Sequence, residues 1–259
     1  GTILASGLNG AIPVKAGKNT KVSVLPKLAL DPLNLLTNGS TNTKVTYIDA
    51  TPVGEWTGTD ADIASSTETS AYKEGTACLG ITITDAASAG DVVLNPLASG
   101  DENWSDREYV GFWIYSAMSL AAGDMTFRIT DSGAGNTDTN IPAITAGQWQ
   151  WVTLDISGVA NASKDVITDI AFVYAVDVGQ NQIFIDFLAK WDTTDAFDLS
   201  QMPIQDGSLS FITIPGAAAS DNAFTSKTEY THYFVDYINQ KVVVITDESA
   251  NNGLYTYAY

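Results

Sequence analysis

The chain has 259 residues, of which 45% are hydrophobic, and a formal net charge of −18 from 12 basic and 30 acidic side chains. Such apolar content with only 16% charged residues describes a folded protein rather than a disordered one, with length for one large β domain or two smaller ones. The acidity excludes a nucleic-acid partner, because phosphate binding needs a basic surface. The single cysteine, Cys78, rules out an internal disulfide or a multi-cysteine metal cluster, and its place in the apolar run ACLGITI reads as a buried, inert thiol. No run of about 18 apolar residues occurs, so no membrane-spanning helix is expected. The opening GTILASG lacks the charged-then-apolar pattern of a secretory leader, and its missing Met fits either removal of an initiator or cleavage of a precursor.

Residues 1–44 hold Lys15, Lys18, Lys21, Lys27 and Lys44 against Asp31 alone, a balance of +4, while the rest of the chain carries −22. Two readings of this leader are open: an extended N-terminal arm whose lysines dock on an acidic partner surface, or a solvated leader. Within it, KVSVLP at 21–26 reads as a short edge strand ended by Pro26. LALDPLNLL at 28–36 is apolar but interrupted by Pro32, which predicts an extended or turn segment packed on the body, a neighbouring subunit or a larger assembly.

From Val45 onward the pattern becomes that of strands. KVTYIDA, AYKEGTACLGITIT and DVVLNPL are separated by polar loops, and SGDENWSDREY leads into YVGFWIYS. Four runs between Tyr109 and Asp192 alternate with period two. Met125, Phe127 and Ile129 share one face of their run, as do Val152, Leu154 and Ile156 of the next. Ile170, Phe172, Tyr174 and Val176 follow, then Ile183, Ile185 and Phe187. No helix of ten residues is predicted, so the chain is read as all-β, with residues 45–192 as a two-layer sandwich. Residues 193–259 begin with the acidic linker DTTDAFDLS and continue with GSLSFITIPG. They end in a hairpin of YFVDYI and KVVVIT about Asn239–Gln240 and a last strand LYTYAY.

The order YIDA, GEWTGTD, YKEGTACLGITIT, WSDREYVGFWIYS, AGQWQWVTLDIS and IFIDF resembles the jelly-roll carbohydrate-binding modules of the galactose-binding-like class, over residues 45–192. That resemblance implies a jelly-roll sandwich and a possible glycan ligand. It also implies a structural calcium, whose matching positions here are Asp49, Glu74 and Asp186. Carboxylates suit this hard cation, although a hydrogen-bonded or exposed Asp186 is the alternative. Such modules stack sugar rings on exposed aromatic faces. The candidates are Trp56 and Trp104, in loops, and Trp151, whereas Trp113 and Trp149 fall at framework positions.

The closing segments YFVDYINQKV and YTYAY look like strand endings of tailed-phage virion proteins. With the basic arm and acidic body, that likeness implies a non-enzymatic capsid decoration (cement) or fibre component on the virion surface. Its partners would be capsid or other virion proteins, in a homo-oligomer, with a host-surface glycan as a further possibility. The alternative is an extracellular carbohydrate-binding module, attached to or cut from a glycan-active enzyme. Catalysis finds no motif: His232 is the only histidine, and neither a G-x-S-x-G nor a glycine-rich phosphate loop is present.

Overall fold

A computed structural model of the chain describes residues 28–33, 48, 55–97, 102–199, 206–215, 225–245 and 251–258. Lys15, Lys18, Lys21 and Lys27, the strand expected at 21–26, and Asp49 lie outside the described residues. The chain divides into two compact units, one of Asn42–Asp195 and the other of Gly1–Thr41 together with Ala196–Tyr259.

In chain order, β1 spans Leu28–Leu33. The strands of the larger unit follow: β2 Thr57–Gly58, β3 Ile63–Glu68, β4 Cys78–Ile83, β5 Val92–Pro96 and β6 Tyr109–Ser116. After them come β7 Met125–Asp131, β8 Gly135–Asn140, β9 Trp149–Asp155, β10 Ile167–Tyr174 and β11 Asn181–Trp191. The remaining strands are β12 Ala196–Asp198, β13 Ser210–Pro215, β14 Thr225–Lys227, β15 Tyr233–Asp236, β16 Lys241–Val244 and β17 Asn251–Ala258. Apart from two three-residue 3-10 turns, Asn161–Ser163 and Thr193–Asp195, the described structure is strand and loop. None of the described helical turns is long and apolar enough to cross a membrane.

The larger unit is a sandwich of two five-stranded antiparallel sheets, ordered β2-β5-β10-β7-β8 and β3-β4-β11-β6-β9. Apart from the β3–β4 and β7–β8 hairpins, consecutive strands from β2 to β11 lie in opposite sheets. The chain therefore wraps around its own core as a jelly roll does. Period-two alternation turns Leu79, Ile81, Phe112, Ile114 and Val152 of one sheet towards Phe127, Ile129, Ile170 and Phe172 of the other, and all are buried. Each such side chain contributes roughly 1.5–3 kcal/mol, so a register slip of one residue, which would expose the whole set, is strongly disfavoured.

Two of the expected alternations break. Val176 is exposed, because β10 ends at Tyr174 and the pleat stops with it. Phe187 leaves the inward row, because β11 carries a bulge between Asp186 and Ala189, with Phe187 at φ 46°. The extra residue hands the next core position to Leu188.

In the other unit, β1 pairs with β17 from Leu28↔Ala258 to Leu33↔Gly253, at the edge of the sheet β1-β17-β13-β14. Pro32 thus sits inside a strand rather than ending one. An edge strand hydrogen-bonds on one side only, so a missing N–H is tolerated there. Residues 28–33 are consequently not a free docking arm: they complete a sheet with the last strand of the same chain.

The expected hairpin forms from β15 and β16, but its turn is wider than Asn239–Gln240. Gln240 N donates to Asp236 O (2.7 Å), and Asp236 Oδ1 accepts from Ile238 N and Asn239 N. Gln240 carries φ 63°, a left-handed conformation that costs a non-glycine residue about 1 kcal/mol. Replacement Gln240→Gly should therefore raise the unfolding free energy by about 0.5–1 kcal/mol, read from the midpoint of urea denaturation.

Candidate functional site

On the outer face of the sheet β3-β4-β11-β6-β9, alternation brings forward the residues that the core does not use. Register places Ser66 opposite Gly80, Gly80 opposite Phe184, Phe184 opposite Tyr115 and Tyr115 opposite Trp149, in one line across all five strands. Phe184 and Tyr115 stack, with ring centroids 5.4 Å apart and an interplanar angle of 19°. Trp149 continues the row, 5.9 Å from Tyr115. Tyr115 and Trp149 are half-buried and keep ring area facing outward. On the β3 side Gly80 carries no side chain and Ser66 Oγ fills its place, since a Cβ at Gly80 would lie 2.5 Å from that oxygen. Ser66, Thr82 and Gln182, all exposed, supply hydroxyl and amide groups on the same face.

Behind this row runs a second one, Asp186 opposite Trp113 and Trp113 opposite Trp151. The two indoles meet edge to face at 5.6 Å, and Lys73 Nζ sits 4.1 Å over the Trp113 ring. Trp151 donates its indole N–H to Thr153 Oγ1 (2.9 Å) and lies along the sheet over Gly111. A Cβ at Gly111 would come within 2.6 Å of Trp151 and 2.7 Å of Trp191, so only glycine lets both rings lie flat there.

Asp186 organises this region. It is 1% exposed, and its Oδ2 accepts from Lys73 N (2.6 Å) and Glu74 N (2.8 Å), while Oδ1 accepts from Phe187 N (2.8 Å). One carboxylate therefore holds loop 69–77 on the outer face and closes the bulge that it belongs to. Cys78 adds a second tie, donating Sγ–H to Ala71 O (3.0 Å), and burial raises its thiol to about 12. It is the inert buried thiol that its setting suggested. Burial likewise raises the Asp186 carboxyl from 3.8 to about 6, against the three N–H bonds that favour the anion, and the nearby charge of Glu74 adds to the rise.

The candidate calcium ligands Glu74 and Asp186 thus do meet, but through a backbone N–H. Both Asp186 oxygens face N–H donors, whose positive ends repel a cation, and calcium takes 6–8 oxygen ligands. No group of three or more acidic, histidine or cysteine side chains suited to a metal occurs among the described residues. Among the described residues Glu74 and Asp186 do not by themselves make up a calcium site, and Asp49, the third expected ligand, lies outside them.

Two of the three candidate sugar platforms are interior. Trp56 and Trp104 are 0% exposed. The Trp56 ring packs 5.4 Å from Phe172. Trp104 donates its indole N–H to Glu102 Oε2 (3.0 Å) beneath the Lys190 ammonium. A ring with no accessible face cannot stack on a sugar, so neither serves as a platform. Trp151 is on the outer face but almost wholly covered by its neighbours. In the outward row the accessible rings are Tyr115 and Trp149, neither of them among the candidates read from the sequence, and Tyr72 in loop 69–77 is exposed as well. The signal for Tyr115 and Trp149 was the alternation itself: both are outward positions of β6 and β9, and only cross-strand register brings them together.

No family model and no characterised protein sequence matches the chain. Among solved structures it is similar to a family 11 carbohydrate-binding module from Clostridium thermocellum in complex with a β-1,3-1,4-mixed-linked tetrasaccharide, with 17% identity over 54% of this chain and 90% of that one, TM-score 0.41. It is similar to a family 30 carbohydrate-binding module at 15% identity, over 56% and 95% of the two chains, TM-score 0.40. An exo-β-agarase matches at 12% identity over 64% of this chain and 26% of that one, TM-score 0.44. Similarity at this level assigns neither topology nor ligand.

Replacing Asp186 by Ala should cost about 3 kcal/mol, because it leaves three N–H groups around a buried site without their acceptor. The pH dependence follows from the raised carboxyl. Between pH 4 and 6 the native state holds a proton that the unfolded chain has released. Stability from this group therefore falls as pH rises through that window, by up to about 3 kcal/mol. Asp186→Asn cannot titrate, so the stability advantage of the parent over this variant should shrink from pH 4.5 to pH 7 in urea unfolding.

Proposed function

We propose that the sandwich unit is a non-catalytic glycan-binding module that works outside the cell, and that Tyr115 and Trp149, backed by the buried Phe184 ring, are its platform. The single observation that carries this reading is the alignment of three aromatic side chains in register across β11, β6 and β9, with the last two half-exposed. The C–H face of a pyranose ring is apolar, and an aromatic face offers it contact without losing hydrogen bonds to water. Hydroxyls at the edge of the sugar then meet Gln182, Thr82 and Ser66, which stand exposed on the same face.

The reading as a virion decoration or fibre protein takes no support from the described residues. Its docking lysines lie outside them, and segment 28–33 is paired within the chain. Capsid partners and a homo-oligomer would follow only from that reading.

Titration calorimetry with soluble β-glucans, mannans and agaro-oligosaccharides tests the proposal. At least one should bind, and Trp149→Ala should weaken it tenfold or more while shifting the melting temperature little, since the ring is only half-buried. Absence of binding to every polysaccharide, or affinity unchanged in both Trp149→Ala and Tyr115→Ala, would overturn it.

A further inference from the structure

A second concavity lies at one end of the same sheet, where β6 begins and β9 and β11 end. It has a volume of about 320 Å³, and all ten residues lining it are polar or charged. On β6, Tyr115 is seven residues from Glu108 at the cavity, about 23 Å along an extended strand. The cavity and the aromatic row are thus separate places.

The lining is built rather than incidental. Lys164 is 2% exposed, and its ammonium donates to Arg107 O (2.5 Å) and Ile156 O (3.1 Å), which fastens the loop after β9 to the loop before β6. Lys164 also lines the cavity, close to the charges of Glu108 and Asp106. Glu108 Oε2 accepts from Thr193 N (3.0 Å), and Asp192 Oδ1 accepts from Thr194 N (2.6 Å) and Thr194 Oγ1. Arg107 Nη1 reaches Asp192 Oδ2 at 3.4 Å. Asp106 and Asn161 stand exposed at the rim.

This chemistry narrows the ligand. Three carboxylates, on a chain of net charge −18, oppose phosphate, sulfate or an acidic sugar. The Lys164 ammonium and the Arg107 guanidinium oppose a metal ion. A lining without an apolar residue gives a lipid or an aromatic compound nothing to bury. What remains is a neutral molecule that presents donors and acceptors together, at the small end of ligand-pocket size. We propose that this cavity binds a single neutral pyranose unit, free or at the end of a glycan, with Asp106, Glu108, Asn161 and Lys164 contacting its hydroxyls. The inference does not rest on the aromatic row.

Amide NMR of the full chain, titrated separately with glucose, galactose, mannose, galacturonate and inorganic phosphate, tests it. At least one neutral sugar should shift the amides of Arg107, Thr193 and Thr194 with a millimolar dissociation constant. The double variant Asp106→Ala/Asn161→Ala, altered only at exposed positions, should weaken that sugar about tenfold, while Trp149→Ala should leave its affinity unchanged. The proposal fails if no neutral sugar shifts these amides or if galacturonate or phosphate binds more tightly. It fails equally if the double variant binds as the parent does, or if Trp149→Ala alone abolishes the shifts.

Discussion

The structure depends on one buried carboxylate in the middle of a central strand. β11 lies between β4 and β6, and its alternation is reset between Asp186 and Ala189. Before the bulge Ile183 and Ile185 point into the core, and after it Leu188 does. Without the extra residue Phe187 would take the core position and Trp191, opposite Tyr109, would turn inward. A bulge that holds an aromatic residue at positive φ is strained. Asp186 offsets that strain by accepting N–H bonds from Phe187 and from loop 69–77 at once. Both sides of the sheet follow from this change of parity. Upstream, the outward row of Phe184 meets Tyr115. Downstream, Lys190 pairs opposite Val110 and turns inward to Glu102 at 2.7 Å.

The outward face is shaped as much by missing side chains as by present ones. Gly111 lets two indoles lie flat, which makes a dense aromatic layer behind the accessible row. Gly80 removes a side chain beside Phe184, and Ser66 leans into the space. Rigid rings provide contact area at little entropic cost, because the neighbours that fix each ring do so before any ligand arrives.

Much of the sandwich was legible in the sequence because period two is a local signal. Met125 to Ile129, Val152 to Ile156 and Ile170 to Tyr174 each declare a face within five residues, and the structure buries those faces. What was not legible depends on distant partners. Nothing around Phe187 announces a positive φ, since the group that stabilises the bulge also reaches back to Lys73 and Glu74, more than a hundred residues earlier. Trp56 and Trp104 sit in polar stretches that read as exposed loops, yet Phe172 receives the first, and Glu102 and Lys190 receive the second. Pro32 broke a strand on local rules, and the edge position beside β17 restored it. The aromatic row needed the register of five strands, and no local pattern supplies that.

The same long-range logic explains how an acidic chain with one cysteine fixes its loops. Asp131 accepts from Gly133 N, Ala134 N and Val166 N, which ties the β7–β8 turn to the start of β10, and its carboxyl is held below the usual range by these bonds. Lys164 does the reverse with two carbonyls, and Asp236 closes the β15–β16 turn. In each case a charged side chain is matched to main-chain dipoles, which cannot titrate away or change rotamer as a side-chain partner can. A buried charge is costly unless its hydrogen-bonding capacity is met, so each tie is selective: only one loop conformation presents its N–H or C=O groups to the charge. Geometry that a disulfide or a metal would impose covalently is here imposed by that penalty, and the loops around both candidate sites are held in this way.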